Sequence, residues 1–377
     1  MKRRPFIKNI IRAATVTAIA PQLSLSQSLA SEKNSKKLGI ALVGLGTYST
    51  DQLAPALLET KFCYLSAIVT GTKEKEQQWI EKYGIKKENV YTYKNFDRII
   101  DNDEIDIVYV VLPNSMHAEY TIRAAKAGKH VICEKPMATS VSDCKKMITA
   151  CKKANKKLSI GYRLHFDPFN DNMMRLGQSK FYGNKMTVAT EFSFNVSDIN
   201  HWWRANKKLA GGGALMDLGI YCLQASIYTF GELPLTLWGK DTTKPDSIFN
   251  EVEGSIEWEM TFPSGKAYCK TSYESPFKSH LILNTEKGKL ELSPSFTYDG
   301  IKGTTPDGEM ELKNVNQQAL QMDTFAQNIL QDTSSIVPGE MGLRDNYIIE
   351  KIYESAANHS AVVNLNDIPN ILDLRIN

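Results

Sequence analysis

Short and almost continuously apolar segments alternate with helical patterns along residues 38–160. Such segments predict strands that are buried on both faces, because a strand with one solvated face alternates apolar and polar residues. Strands that are joined through helices run parallel to one another in a doubly wound sheet. The predicted strands are 38–43, 64–70, 105–112, the strand that ends at Glu134, and 158–162. We therefore predict an α/β domain with a doubly wound parallel sheet over residues 38–160.

The pattern changes beyond residue 160. Residues 185–194 alternate apolar and polar side chains, as a strand with one exposed face does. Successive strands that are separated by short turns pair antiparallel. Further strands of this kind are predicted at 236–240, 252–262, 266–273, 281–284 and 289–292. Residues 161–377 are therefore predicted to form an α+β domain with a large, open and mostly antiparallel sheet, which is completed by helices at 317–331 and 343–358.

The composition excludes several classes of protein. Hydrophobic residues make up 42% and charged residues 23% of the 377 residues, which is typical of a folded globular chain with two domains. A net charge of +3 is too small to predict binding of nucleic acid or of an anionic membrane. The six cysteines form no Cys-x-x-Cys pair and the sequence shows no cluster of metal ligands. We therefore predict no metal site, and nothing in the sequence demands a disulfide.

The start of the chain carries an export pattern. Arg3-Arg4-Pro5-Phe6-Ile7-Lys8 is typical of a twin-arginine signal, and Ser28-Leu29-Ala30 offers the small residues that a signal peptidase needs. The apolar run at 10–20 is interrupted by Arg12 and is too short for a permanent transmembrane helix. We predict a periplasmic protein without a stable membrane anchor, and a basic tail is the alternative. The predicted segments are a signal peptide at 1–30 and a linker at 31–37.

A turn that contains two glycines links the first strand to the first helix. Gly44-Leu45-Gly46-Thr47-Tyr48 follows the strand directly, and a helical pattern continues to Leu58. In dinucleotide-binding domains of the Rossmann type, the first glycine permits the turn and the second lets a pyrophosphate approach the backbone. Ser49 replaces the third glycine and is small enough for close packing. A plain βα turn is the alternative, but the position between strand and helix favours dinucleotide binding.

The end of the second predicted strand bears on the choice of cofactor. An NAD site usually has Asp or Glu here to hold the ribose hydroxyls, whereas this strand ends in Thr70-Gly71-Thr72, with Lys73 and Lys75 beyond it. A carboxylate would repel the 2′-phosphate of NADP, and hydroxyl and ammonium groups would bind it. The sequence therefore predicts NADP rather than NAD. The alternative is that both lysines lie in the solvated first turn of a helix.

Glu134-Lys135-Pro136 ends a strand of the predicted parallel sheet. Proline lacks an amide hydrogen and disfavours helical geometry in the residue before it, so we expect Lys135 to be extended at the carboxyl end of the strand. Ligands bind at that edge of a doubly wound sheet, where Lys135 could act as a proton relay or as a donor to a hydroxyl. A solvated Glu-Lys pair is the alternative. His117 follows the preceding strand and either contacts a ligand or braces its helix, and bracing is favoured.

A second informative segment begins with Trp202-Trp203-Arg204 and continues through Gly211-Gly212-Gly213 into a predicted helix. Asp217 and Tyr221 are four residues apart, so they lie on one face of that helix. A tyrosine beside a lysine and a carboxylate can donate or accept a proton, because a nearby ammonium stabilises the phenolate. Taken alone, Asp217 is a first-turn helix carboxylate and Tyr221 a core residue. Their pairing with Lys135 across a cleft favours catalysis.

From residue 38 to about 363 the chain resembles the glucose–fructose oxidoreductase and inositol dehydrogenase family, and within it most closely the periplasmic glucose–fructose oxidoreductases. The runs that carry the resemblance are 112–119, 127–139, 161–163 and 210–221. The resemblance implies that Lys135 lies beside the nicotinamide and that Tyr221 replaces a more common histidine as the acid/base. Asp217 would orient the sugar or Tyr221.

The resemblance also implies which residues bind the cofactor. Thr70 and Lys75 take the places of an NADP-binding Ser and Lys, Trp203-Arg204 takes the place of a dipeptide at the cofactor, and Arg163 lines the site. By the same analogy we expect a homodimer or homotetramer. The full expected set of cofactor-binding residues is Gly44, Leu45, Gly46, Thr47, Tyr48, Thr70, Lys75, Leu112, Asn114, His117, Glu134, Lys135, Arg163, Trp203 and Arg204.

These features predict an NADP-dependent sugar oxidoreductase. It would move hydride between C1 of a glucose-like aldopyranose and nicotinamide, and return it to a fructose-like sugar if the cofactor stays bound. The family's glucose–fructose enzyme has a proline-rich arm that covers the cofactor of a neighbouring subunit. This chain has only the short linker there, so an exchangeable cofactor is the other expectation. The alternatives are an NAD(H)-dependent glycosidase on the same scaffold and a non-catalytic sugar or nucleotide sensor. The export signal and the intact Lys135, Asp217 and Tyr221 count against the sensor.

Overall fold

The computed structural model describes residues 36–184 and 186–375, and the predicted signal peptide lies outside them. From Lys37 onward the chain forms one compact unit that contains two β-sheets. One sheet has six strands and the other has nine. The predicted fold class, a parallel doubly wound domain followed by an α+β domain, is confirmed.

The first sheet is parallel throughout. Its strands are β1 (Leu38–Val43), β2 (Cys63–Val69), β3 (Val90–Tyr91), β4 (Ile107–Val110), β5 (His130–Cys133) and β6 (Leu158–Ile160). Their order across the sheet is β3-β2-β1-β4-β5-β6. Every residue of β1 is buried, as expected for a strand that is covered on both faces. The sequence does not predict β3, because two residues are too few to show a periodic pattern.

Helices cover both faces of this sheet. They are α1 (Ala54–Glu59, entered through a π-helical turn at Ser49–Leu53), α2 (Lys73–Tyr83), α3 (His117–Lys126) and α4 (Val141–Lys153). The start of α4 shows why these segments become helices. Ser140 accepts a hydrogen bond from the amide of Asp143 at 3.1 Å, which satisfies one of the free amides at the helix start.

The second sheet is open and mostly antiparallel, as predicted. Its strands are β7 (Met186–Ser193), β8 (Thr236–Asp241), β9 (Ser255–Phe262), β10 (Gly265–Ser272), β11 (Lys278–Thr285), β12 (Gly288–Leu292), β13 (Gly303–Thr305), β14 (Gly308–Glu309) and β15 (Val363–Asn364). Their order is β14-β13-β12-β11-β7-β10-β9-β8-β15. The β7–β10 pair is parallel and the other neighbours are antiparallel.

The remaining helices include two that the sequence does not predict. In chain order, the remaining helices are α5 (Pro168–Gln178), α6 (Lys207–Ala210), α7 (Ile220–Phe230), α8 (Gln317–Leu330) and α9 (Gly339–Ala357). The unpredicted ones are α5 and the single turn α6. The cap of α5 is Asp167, which accepts a hydrogen bond from the amide of Asn170 at 2.9 Å. Over the described residues, no helix is both long enough and apolar enough to span a membrane. All six cysteines are buried and unpaired.

The helix α8 packs on the first sheet rather than on the second. Met322 and Phe325 share a hydrophobic core with Ile40 of β1. Asp323 accepts hydrogen bonds from the backbone amide of Lys61, just before β2, at 2.9 and 3.0 Å. This packing differs from the predicted division, which assigned all of 161–377 to the second domain.

Candidate active site

A cleft of about 1270 Å³ lies at the carboxyl ends of the parallel strands, and residues of the second sheet form its other wall. Open α/β sheets bind ligands at this edge. Of the predicted site residues, all but His117 line the cleft. These residues are Gly44, Leu45, Gly46, Thr47, Tyr48, Thr70, Lys75, Leu112, Asn114, Glu134, Lys135, Arg163, Trp203, Arg204, Asp217 and Tyr221.

The glycine turn after β1 leaves space where a pyrophosphate would lie. Gly44 has a φ of +94°, and a Cβ there would meet the carbonyl oxygen of Val111 at 2.3 Å, so this position needs glycine. A Cβ on Gly46 would meet no atom of the described residues within 4 Å. Ser49 donates a hydrogen bond from Oγ to the carbonyl of Gly44 at 2.6 Å, which holds the turn from the helix side. The second glycine is therefore open to the cleft.

Polar groups gather at the end of β2. Thr70 and Thr72 both line the cleft, and the hydroxyl of Thr70 accepts a hydrogen bond from the amide of Thr72 at 3.2 Å. The Nζ atom of Lys75 donates to the carbonyl of Leu45 at 2.7 Å, which holds this ammonium over the glycine turn. Residues 69–73 contain no carboxylate. Hydroxyl and ammonium groups without a carboxylate are suited to bind a phosphate.

Lys135 and Asp217 meet across the cleft. The Nζ atom of Lys135 lies 3.0 Å from Oδ1 of Asp217 and donates to the backbone carbonyl of the same residue at 2.7 Å. Burial by itself lowers the pKa of Lys135, but the charge of Asp217 and the nearby Tyr221 raise it above its ordinary value. Lys135 is therefore held as a fixed ammonium.

Asp217 has two further partners. Its Oδ2 atom lies 3.1 Å from Nε of Arg204 and accepts a hydrogen bond from the hydroxyl of Tyr273 at 3.0 Å. Burial alone would raise the pKa of Asp217, but the charges of Arg204 and Lys135 outweigh it and hold the pKa well below its usual range. Asp217 therefore stays ionised and holds both cations in place.

A π-helical turn, Leu215–Gly219, carries Asp217 into the start of α7. The sequence pattern predicts a regular helix here, and the structure differs by this one wide turn. Such turns are frequent at functional sites. Asp217 and Tyr221 nevertheless reach the same cleft, as their spacing predicts.

Two cations flank the ring of Tyr221. The Nζ atom of Lys135 lies 4.8 Å from the ring centroid, and the guanidinium carbon of Arg163 lies 5.1 Å from it. Phe192 on β7 and Phe296 after β12 pack against the ring, with centroids 5.6 and 6.1 Å away. Because these contacts fix the ring inside the cleft, Tyr221 is placed to exchange a proton with a ligand bound there.

Glu134 belongs to a buried network at the wall of the cleft. Its Oε1 atom accepts a hydrogen bond from the hydroxyl of Tyr109 at 2.6 Å, and Gln321 of α8 donates to that hydroxyl at 2.7 Å. Burial raises the pKa of Glu134. A Cβ on Gly161 would meet the Glu134 carboxylate at 2.4 Å, so the small residue makes room for it.

His117 does not line the cleft. Its side chain is 1% exposed, and its two ring nitrogens lie 2.9 Å from the carbonyl oxygen of Pro136 and 2.8 Å from that of Leu112. The ring therefore braces the segments that follow β4 and β5 and is not placed to contact a cofactor, in contrast to its place in the expected cofactor-binding set. Asn114 does line the cleft and donates to the carbonyl of Ala210 at 2.8 Å, which ties the two domains together.

Several side chains of the site are not predicted from the sequence. Tyr273 and Tyr298 follow strands of the second sheet, and neither belongs to a local motif. Phe192 reads as an ordinary strand residue, although it packs on Tyr221. The one signal that could have found any of them is that Tyr273 directly follows β10, because loops at the end of a strand commonly carry ligand contacts.

The cleft residues fit a nicotinamide dinucleotide. The open backbone at Gly46 and the polar groups at the end of β2 suit the phosphates. At the other end, the Nε atom of Arg163 is buried and has no hydrogen-bond partner within residues 36–184 and 186–375. An unpartnered buried donor beside Tyr221 is expected where a ligand or a developing negative charge completes the site.

Comparison with known proteins agrees with this description. Residues 38–162 match an oxidoreductase family with an NAD-binding Rossmann fold, and residues 172–291 match the GFO/IDH/MocA C-terminal domain. The chain is 41% identical to a solved aldose-aldose oxidoreductase from Caulobacter crescentus, with a TM-score of 0.84 over 88% of this chain and 100% of that chain.

Two curated relatives are also similar over most of their length. The chain is 28% identical to a D-xylose 1-dehydrogenase (NADP(+)) of Haloarcula marismortui, over 85% of this chain and 92% of that protein. It is 26% identical to D-xylose 1-dehydrogenase (NADP(+)) 2 of Haloferax volcanii, over 72% of this chain and 84% of that protein. With both domains matched and the cleft residues in place, the protein belongs to the GFO/IDH/MocA family of NAD(P)-dependent oxidoreductases.

Proposed function

We propose that the protein is a periplasmic, NADP-dependent sugar oxidoreductase that moves hydride between C1 of a glucose-like aldopyranose and nicotinamide. The observation that carries this proposal is the meeting of Lys135, Asp217 and Tyr221 at one end of a dinucleotide cleft. The similar aldose-aldose oxidoreductase and the two D-xylose 1-dehydrogenases support an aldose as the substrate.

Tyr221 acts as the acid/base of this reaction. It takes the proton of the anomeric hydroxyl as C1 loses its hydride, so that a carbonyl forms at C1. Lys135 stabilises the phenolate that this role requires, and Asp217 keeps the lysine charged and in position. A bound nicotinamide supplies the hydride acceptor. In the reverse direction Tyr221 returns the proton to the oxygen of a sugar carbonyl.

The cofactor would be held along the edge of the parallel sheet. The backbone of the glycine turn would hold the pyrophosphate, and Thr70, Thr72 and Lys75 would hold the 2′-phosphate of NADP. The NADP named for both xylose dehydrogenases supports this preference. If NADP stays bound between half-reactions, a fructose-like sugar would receive the hydride.

Export and assembly are parts of the same proposal. The run Arg3-Arg4-Pro5-Phe6-Ile7-Lys8 supports export by the twin-arginine route and a periplasmic location. Alternate residues of β10 are exposed, which leaves this face of the nine-stranded sheet open, and together with the family analogy it supports a homodimer or homotetramer.

A spectroscopic assay tests the proposal. The purified protein is mixed with NADP and glucose, and then with fructose, while the absorbance of the reduced nicotinamide is followed. We expect the signal to rise with glucose and to fall with fructose if the sugars exchange hydride through the enzyme. The same protein with NAD in place of NADP should respond more weakly. Absence of reduced nicotinamide with every aldose tried would contradict the proposal.

A further inference from the structure

We propose that Arg163 is the main cation that stabilises the phenolate of Tyr221, which makes it a positioning residue for the acid/base. This inference rests on the proposed role of Tyr221. It assigns to Arg163 a function beyond lining the cleft. Lys135 also stabilises the phenolate, but to a smaller extent.

Arg163 is anchored by neutral partners. Its side chain is 2% exposed and follows β6. One Nη atom donates to the carbonyl of Thr297 at 2.9 Å and to the side chain of Gln317, and the other donates to the carbonyl of Phe296. These acceptors fix the guanidinium 5.1 Å from the ring centroid of Tyr221 without cancelling its charge. Among the described residues no carboxylate lies within ion-pair distance of Arg163.

A neighbouring carboxylate partly neutralises the charge of Lys135, whereas Arg163 has no carboxylate within ion-pair distance among the described residues. Asp217 lies 3.0 Å from Lys135 and 3.1 Å from Arg204. Two cations and one carboxylate leave a single net positive charge spread over three side chains. Arg163 has no such partner among the described residues, and Glu134 acts on it from farther away. At a similar distance from Tyr221, Arg163 therefore supplies the less compensated field at the ring.

Burying a guanidinium among neutral partners raises the free energy of the folded protein, and a nearby negative charge would offset that penalty. Its Nε atom has no hydrogen-bond partner among the described residues. A phenolate at Tyr221 would provide that compensation, and it would do so only when the acid/base is in its proton-accepting form. Ionisation of Tyr221 would therefore give the guanidinium a charged partner, which no carboxylate within ion-pair distance provides among the described residues.

Arg163 has a second aromatic neighbour, Tyr298, which could compete with Tyr221 for its charge. Tyr298 lies closer to Arg163, with its centroid 4.4 Å from the guanidinium carbon. Burial, and then the charge of Tyr221, raises the pKa of Tyr298 to about 12, so Tyr298 stays neutral at ordinary pH. The charged and titratable groups that face Tyr221 or the cations beside it are Tyr48 after β1, Glu134 and Lys135 after β5, Arg163 after β6, Arg204 and Asp217 before α7, Tyr273 after β10, and Tyr298 after β12.

The test compares Arg163→Met, which removes the charge, with Arg163→Lys, which keeps it. The ionisation of Tyr221 is followed by tyrosinate absorbance as the pH is raised, on protein without added cofactor. Each variant is also made with Tyr221→Phe, and the difference between the two titrations is the signal of Tyr221. We expect Arg163→Met to move the Tyr221 signal to higher pH and to lower aldose turnover near neutral pH by about tenfold to a hundredfold, with recovery in alkali. Arg163→Lys should keep the wild-type pH profile. Arg175→Met, which removes an exposed guanidinium outside the cleft, should change neither readout.

Each other outcome has a distinct meaning. If Arg163→Met and Arg163→Lys lose turnover equally and neither moves the tyrosinate signal, Arg163 only anchors the chain at Phe296 and Thr297, and the inference is overturned. If Arg163→Met does not fold, Arg163→Gln provides the neutral side chain with donors for the same carbonyls. Failure of the proposed function shows differently, because wild-type protein would then reduce no NADP with any aldose while the tyrosinate titration could still be read.

Discussion

The ammonium of Lys135 lies 3.0 Å from the carboxylate of Asp217, although 82 residues separate them along the chain. Lys135 follows β5 of the parallel sheet, and Asp217 lies in the turn that opens α7 in the second domain. The pair therefore joins the two domains at the place where Tyr221 enters the cleft. The geometry of the proposed catalytic site therefore depends on the packing of both domains.

Tyr221→Phe should abolish most turnover and leave dinucleotide binding intact. The substitution removes the hydroxyl that we propose exchanges the proton, and general acid/base catalysis of this kind contributes about a hundredfold to ten-thousandfold in rate. Steady-state turnover and cofactor titration measure the two effects separately. Tyr83→Phe is the matched control and should behave like wild type, because Tyr83 ends α2 outside the cleft and its hydroxyl has no hydrogen-bond partner among the described residues. Unchanged turnover in Tyr221→Phe would remove this residue from the mechanism.

Asp217→Asn should destabilise the protein near neutral pH, and the difference should shrink in acid. The pKa of Asp217 is lower in the folded state than in the unfolded chain, where it is about 3.9. The ionised carboxylate therefore stabilises the folded protein fully above that unfolded pKa, and this contribution is lost as the pH falls through the folded pKa. Without the carboxylate, Lys135 and Arg204 face each other unpaired, which costs about 2–4 kcal/mol.

The measurement is the free energy of unfolding in urea over a range of pH. Asp97→Asn removes an exposed carboxylate that is paired with Arg123, and this control should cost less than about 1 kcal/mol. If Asp217→Asn lowers the free energy of unfolding by the same amount at neutral and at acid pH, the carboxylate charge is not the cause of the destabilisation.

Lys75→Met should lower the affinity for NADP about tenfold and leave the affinity for NAD nearly unchanged, because only NADP carries a 2′-phosphate for the ammonium to bind. Fluorescence titration with each reduced cofactor gives both affinities. Lys73→Met is the control, since Lys73 begins the same helix and does not line the cleft. An equal fall for both cofactors would mean that Lys75 acts through its hydrogen bond to Leu45.

Alanine at the two glycines of the turn should give opposite results. Gly46→Ala places a methyl group in open space, so the protein should keep its melting temperature and bind dinucleotide more weakly. Gly44→Ala combines a φ of +94° with a contact to Val111, so it should lower the melting temperature. Melting curves and cofactor titrations of both variants test this pair. Wild-type affinity in Gly46→Ala would remove the pyrophosphate from this position.

The parallel sheet and the glycine turn could be predicted because their signals are local. The apolar run of β1 and the glycines that follow it lie within ten residues of each other. The polar end of β2 could be found in the same way. In such a sheet, chain order alone brings the ends of β1, β2, β4 and β5 to one edge.

The rest of the site depends on contacts that no local pattern records. Tyr273 reaches Asp217 only because β10 pairs with β7 in a register that ends beside the cleft. The apolar stripe of α8 shows that this helix packs on a core, but it does not show that the core is that of the first sheet. Arg163 could be placed at the site by resemblance, whereas its neutral anchoring and its distance to Tyr221 required the three-dimensional structure.

Transfer of deuterium from C1 tests the central claim most directly. An aldose that carries deuterium at C1 is incubated with the purified protein and oxidised NADP, and the reduced cofactor is analysed by mass spectrometry. The proposed function predicts deuterium on the nicotinamide ring with wild-type protein, and almost no reduced cofactor with Tyr221→Phe. Reduced cofactor without deuterium would contradict it, because the hydride would then come from another carbon of the sugar.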